Sequence, residues 1–259
     1  MVNKEIIDKV ISYSIKKCGR LKGGLKSSLN NFIRQQLYKF FDETKTLEYE
    51  KVEYLDNHGN VLIKKKGDRH SWEVKGEDIS KIIDDNFNLI MDKGGFHITH
   101  NHPSSYRESD MDCGDFTCLS EADMNNLKKT FNWESKGIHD WYFNKSITAD
   151  CSNGTRMTLV RNTDSFNPSV FDKARDNLIK NWRKYIKDSK ENTKEALWDF
   201  VLVWQSKNNT TNLPSSDVLD KEKVEIQKRF AKEHFQDYIQ DNIKDFDETG
   251  FELSFEWIQ

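Results

Sequence analysis

The chain has 259 residues, 32% of them charged, with a mean hydropathy of -0.84 and a formal net charge of -3 at pH 7. That balance argues against general affinity for nucleic acid or anionic membranes; no apolar run is long enough to span a bilayer, and MVNKEIIDKVISYSIKK lacks the unbroken apolar segment and cleavage site of a signal peptide. Four scattered cysteines, Cys18, Cys113, Cys118 and Cys151, are too few for a secreted disulfide scaffold and point to a reducing, cytoplasmic setting, while 16 Phe and 7 Trp supply core area.

Residues 3–17 place Ile6, Ile7, Val10, Ile11 and Ile15 at helical spacing. A break runs from Cys18-Gly19 through Gly23-Gly24. Ser27 or Ser28 is then the N-cap candidate of a second helix, with Leu29, Phe32, Ile33, Leu37, Phe40 and Phe41 along a packing face. From Leu47 the period changes to alternation. It predicts strands near 47–55, 60–65 and 70–74, with a hairpin turn at Asp56-Asn57-His58-Gly59 and a loop at Lys66-Gly67-Asp68. Asp78 or Ser80 caps a helix to about Leu89. After Gly94-Gly95, FHITHNH is a short strand that runs into Pro103.

Beyond a polar loop, LSEADMNNLKKTF reads as a helix with Ser120 as N-cap. Ile138–Phe143 and Arg156–Arg161 read as strands joined by a turn at Ser152-Asn153-Gly154. From Pro168 the helical period returns: Val170, Phe171, Ala174, Leu178, Trp182 and Tyr185 share one helix, Ala196 to Trp204 lie on another, and Val218 to about Ile243 form a third. In FELSFEWIQ, apolar Phe251, Leu253, Phe255 and Trp257 alternate with Glu252, Ser254 and Glu256, as in a strand with one buried face.

Three of the seven histidines fall in GGFHITHNHPSS. Side chains at i and i+2 of a strand share a face, so His100 and His102 can both reach one zinc ion, at a Zn–N distance near ~2.1 Å. His97 is offset by an odd number from both and should face away as an ordinary strand histidine. A catalytic zinc keeps three protein ligands and one open position. Asp123 fits the third place: it lies in the first turn of the Ser120 helix, where an anion is favoured. The Ser120 hydroxyl, one turn earlier, should lie near the same metal.

Thr99–Pro103 (THNHP) followed by Ser120-x-x-Asp123 resembles the motif of the JAMM zinc metalloproteases. With the upstream EKVEYLDNHGNVLIKKKGD, it is similar to JAMM-like domains of phage head-morphogenesis proteins and bacterial polymorphic toxins. The likeness covers about residues 45–161. It implies a cytidine-deaminase-like α/β core of the α+β type, with a mixed sheet flanked by helices. The divisions expected are an N-terminal helical extension over 1–44, the JAMM-like domain over 45–163 and a C-terminal helical region over 164–259 that ends in a strand. The family's upstream Glu, which holds the water, falls on Glu50. Glu48 shares its strand face and is the first substitute; Glu53 faces the other way. Ser120 would stabilise the oxyanion, and Asn101 or the loop backbone would orient the imidazoles.

The family's loop between the second His and the Ser is usually short, whereas here it runs from Pro103 to Leu119. Ser109-Asp110-Met111-Asp112 is a second Ser-x-x-Asp nearer the family distance. Ser120 and Asp123 are preferred because Leu119 and the amphipathic ADMNNLKK suit a helix start, while Cys113-Gly114 interrupts any helix after Asp112. Cys113 and Cys118, with Cys151 or His139, could form a second zinc site, but their spacing fits isolated thiols better. The tripeptide His100-Asn101-His102 is not an HNH nuclease motif, whose residues are dispersed across a ββα fold.

The resemblance implies zinc-dependent hydrolysis of an amide bond in a protein or peptide, with a ubiquitin-like conjugate or a phage structural protein among the candidate substrates. The expected setting is the cytoplasm of a bacterial host or a virion, without nucleic acid or membrane. The competing expectations are a non-catalytic, zinc-stabilised structural, virion-assembly or interaction protein, and a toxin domain.

Overall fold

A computed structural model of the chain describes residues 29–68, 71–75, 77, 78, 81, 96–103, 119–128, 144–151, 154–161 and 167–258. The helix expected over 3–17, most of the one expected over 78–89 and the strand expected over 138–143 lie outside the described residues. What is described is an α+β arrangement of four helices and one six-stranded mixed sheet.

Helix α1 (Asn31–Thr44) starts two or three residues later than Ser28 or Ser27 would set it. The cap is Asn30, whose Oδ1 accepts from the Ile33 amide at 3.0 Å and satisfies one of the free donors of the first turn. Ile33 and Leu37 pack on Leu55. Phe32, counted in the packing face by sequence, is exposed.

Strands β1 (Lys51–Leu55) and β2 (Val61–Lys66) form the expected hairpin. Asp56 builds its turn: Oδ1 accepts from the His58 and Asn60 amides, and Oδ2 accepts from Asn60 Nδ2. Gly59 is required there, since its φ is 77° and a Cβ would sit 2.7 Å from the Phe32 carbonyl oxygen. Residues 47–50 precede the strand, and 71–75 form no strand at all.

Strand β3 (Phe96–His102) is buried along its whole length. Helix α2 (Glu121–Lys128) follows, then β4 (Asn144–Cys151) and β5 (Thr155–Arg161). The sequence reading missed β4, although it anticipated the turn after it. The sheet order is β2-β1-β3-β4-β5-β6, in which only the β3–β4 pair is parallel. The edge strand β6 (Phe251–Trp257) pairs with β5.

The two helices expected over 170–185 and 196–204 are one, α3 (Pro168–Asn208), of 41 residues. Asn167 caps it, Pro168 fits its first turn, and Asn209 ends it in the left-handed region at φ 48°. Helix α4 (Ser216–Asp247) returns antiparallel beside it. The ladder of contacts shows this direction: Tyr238 donates to Asp188, Asn181 to Asn242 and Asn177 to Asp245. Among the described residues, no helix is long and apolar enough to cross a membrane.

The sheet thus has two dissimilar faces. One packs Val52, Tyr54, Ile98, Ile147, Met157 and Leu253 against α2, α3 and α4 in the main core. The other, toward α1, is polar, and its charged side chains are paired. Lys51 bridges Glu43 and Glu53 at 2.7 and 2.9 Å, and Asp150 binds Arg156, whose guanidinium also donates to the Leu37 carbonyl at 2.7 Å.

Candidate metal centre

Strand alternation sends His100 and His102 to the α2–α3 face of the sheet, as Ile98 is sent. Helix α2 begins beside the end of β3. Ser120 opens it with reciprocal bonds: its Oγ accepts from the Asp123 amide at 3.1 Å and donates to Asp123 Oδ2 at 2.7 Å, while its own amide donates to the same oxygen at 2.8 Å. This cap fixes the Asp123 rotamer and aims its carboxylate at the strand.

The structure brings His100, His102 and Asp123 together as a buried group. The two Nε2 atoms are 3.0 Å apart, and Asp123 Oδ2 lies 3.3 Å from His100 Nε2 and 3.9 Å from His102 Nε2. Ligands about 2.1 Å from a tetrahedral zinc are separated by roughly 3.4 Å. The three observed edges bracket that value, so the spacing of the donors suits a metal ion of this size.

The electrostatics agree. Burial alone would raise the Asp123 pKa, but the His100 and His102 imidazoles and the Ser120 hydroxyl outweigh it and hold the carboxylate well below its usual range. Burial would likewise suppress the charged form of His100, yet the Asp123 charge overrides it and raises the pKa. A positive charge at this point is what the cluster favours, whether supplied by protons or by a cation.

Glu50 stands immediately before β1 and is 8% exposed. Burial, with added repulsion from Asp123 and Asp68, pushes its pKa up to about 7 against the opposing pull of His100. Its backbone is held in place: the amide donates to the Asp68 carbonyl at 2.6 Å, and the carbonyl accepts from the Gly67 amide at 2.7 Å. Glu48 is exposed, and Glu53 is engaged on the other face by Lys51 and Gln36.

His97 faces away, as expected. Its Nδ1 meets Ser146 Oγ at 2.7 Å and its Nε2 meets Asn57 Oδ1 at 2.5 Å. An amide oxygen only accepts, so Nε2 carries the proton and Nδ1 receives the serine hydrogen. Burial pushes the His97 pKa down to about 3 and keeps it neutral. Ser109, Asp112, Cys113, Cys118 and His139 lie outside the described residues. Cys151 is buried beside His102 in the β3–β4 register.

One neighbour differs from the expectation and a second was not anticipated. Asn101 does not orient the imidazoles: its Oδ1 accepts from the Lys51 amide and its Nδ2 donates to the Tyr49 carbonyl. Trp72, partly buried, lies against the His100 ring, with centroids 5.7 Å apart. Nothing local in the sequence marks either contact, because both depend on how β1 and the 71–75 segment approach β3.

Comparison with known protein families, with curated proteins and with solved structures returns no match.

Proposed function

We propose that the chain is a zinc-dependent peptidase or isopeptidase of JAMM type, built on a cytidine-deaminase-like core. The observation that carries this reading is the buried His100–His102–Asp123 group with a second buried carboxyl, Glu50, electrostatically coupled to it. Zinc held by these three side chains would supply an electrophile and an acidified water, of pKa near ~7. Glu50 is the proton carrier. Burial raises the pKa of this carboxyl in the metal-free site, and a carboxyl so placed can accept a proton from the attacking water and return it to the departing amine. The Ser120 hydroxyl hydrogen lies on Asp123 Oδ2, so Ser120 would stabilise the tetrahedral oxyanion by turning that hydrogen away from the carboxylate, a contribution of about 3 kcal/mol for one such donor.

The substrate class is a protein or peptide amide, with a ubiquitin-like conjugate or a phage structural protein as the candidates the sequence resemblance favours. The proposed setting is a bacterial host cell or its phage. One observation favours a second, purely structural reading. The donors come from β3 and from the eight-residue α2, so a cation would staple a short helix to the sheet whether or not catalysis follows.

The test is hydrolysis of a fluorogenic peptide library by the zinc-loaded protein and by its Glu50→Gln variant. The proposal expects cleavage that disappears in the variant while its zinc content stays the same. Cleavage that persists undiminished in the variant would contradict it.

A further inference from the structure

The paired backbones of β1 and β3 separate just where Glu50 is presented. Their ladder ends at Val52↔His100. Continuing that register would set Lys51 opposite Asn101, where main-chain pairing has ceased. The Asn101 side chain takes over there. Its Oδ1 accepts from the Lys51 amide at 2.7 Å and its Nδ2 donates to the Tyr49 carbonyl at 3.1 Å, the two main-chain groups flanking Glu50. A carboxamide presents one acceptor and one donor in a plane, as a peptide group does, so it can stand in for the missing ladder partner. Asn101 is 1% exposed, so these bonds are not in competition with water.

On its other side the same segment is held by the Gly67–Asp68 loop through the Glu50 amide and carbonyl. Glu50 is therefore fixed by main-chain bonds on one side and by a single side chain on the other. That side chain is carried between the two histidine donors, so one strand residue links the geometry of the metal group to that of the carboxyl.

We infer that Asn101 is a positioning residue that sets the Glu50 carboxylate against the His100–His102–Asp123 group by bridging Tyr49 and Lys51. The inference rests on the metal-centre reading given above. Asn101 touches no donor atom of the group; it acts through the backbone of residues 49–51.

Two measurements test it without a substrate. The first is amide hydrogen exchange of the metal-free protein. In Asn101→Ala the Lys51 amide should exchange about tenfold faster, the loss of one buried hydrogen bond, while amides of α3 and α4 keep their protection. The second is the visible spectrum of the protein loaded with cobalt(II) alone. Asn101→Ala should still bind about one cobalt per chain and should show the same band shift as Glu50→Gln, with the double variant no different from Glu50→Gln. Asn101→Asp keeps the acceptor for Lys51 and should lie between wild type and Asn101→Ala.

An Asn101→Ala spectrum identical to wild type, beside a shifted Glu50→Gln spectrum, would overturn the inference and leave the metal centre standing. Identical spectra for wild type and Glu50→Gln would instead remove Glu50 from the site, and the inference with it. Loss of cobalt from both Asn101 variants would make the residue a support of the histidine strand and would also overturn it.

Discussion

Ser120 Oγ donates to Asp123 Oδ2 at 2.7 Å and accepts from the Asp123 amide at 3.1 Å, so one hydroxyl both starts helix α2 and aims the carboxylate at His100. Removing it has two separable effects. Ser120→Ala should destabilise the fold by about 1 kcal/mol through the lost cap. It should also weaken zinc binding by about 10- to 100-fold through the loosened carboxylate. Thermal melts and competition with a chromogenic chelator measure the two. Unchanged zinc affinity would show that Asp123 needs no help from its cap.

The raised Glu50 pKa makes a stability prediction for the metal-free protein. Below its unfolded value of 4.5 the carboxyl is protonated in both states and has no effect. Between 4.5 and about 7 the unfolded chain releases a proton that the fold retains, so stability falls as pH rises; above 7 the cost is constant. Glu50→Gln removes this cost. Its stability advantage over wild type should grow by up to about 3 kcal/mol across that window. Urea titrations at pH 4.5, 6 and 8 would show it, and a difference independent of pH would place the carboxyl in water.

His97 and His100 are three residues apart on one strand and should behave oppositely. His97→Ala leaves Ser146 and Asn57 without their ring partner and should cost about 2 kcal/mol or more, with zinc content unchanged. Because burial depresses the His97 pKa from 6.5 to about 3, the unfolded chain takes up a proton that the fold refuses, and stability is lost as pH falls through that range. The variant should lack this acid limb. Zinc loss from a folded His97→Ala protein would refute the assignment of strand faces.

Helix α2 is tied to α3 by polar contacts. Lys128 reaches Asp172 at 2.6 Å, and Arg175 reaches Asn125 at 2.7 Å and Asp172 at 3.1 Å. Arg175 is mostly buried, so Arg175→Ala should cost about 1–2 kcal/mol. Since α2 carries Asp123, it should also lower zinc affinity, although no atom of Arg175 belongs to the metal group. Chelator competition at 25 °C checks this; an unchanged affinity would mean that Met124 and Leu127 in the core, with the Lys128–Asp172 pair, hold α2 without Arg175.

Local patterns made much of the arrangement legible. His-x-His on a strand and Ser-x-x-Asp at a helix start fix their own geometry within a few residues, and the alternation of Phe251 to Trp257 announces β6. What was missed depends on partners distant in sequence. Strand β4 hides because its α1-side residues Ser146, Thr148 and Asp150 are polar yet buried, satisfied by His97, Thr158 and Arg156. Helix α3 was read as two because its middle turns bury Ser189 and Thr193 instead of large apolar residues. The task of Asn101 is invisible until β1 and β3 are paired, for nothing in its own neighbourhood shows where Tyr49 and Lys51 will lie.

The central claim is that His100, His102 and Asp123 hold one divalent metal ion. Elemental analysis of the purified protein tests it most directly. The account predicts about one zinc per chain, absent from a His100→Ala/His102→Ala variant that keeps its helical circular dichroism. A wild-type protein that stays metal-free after incubation with zinc, or a double variant that still binds the ion, would contradict it.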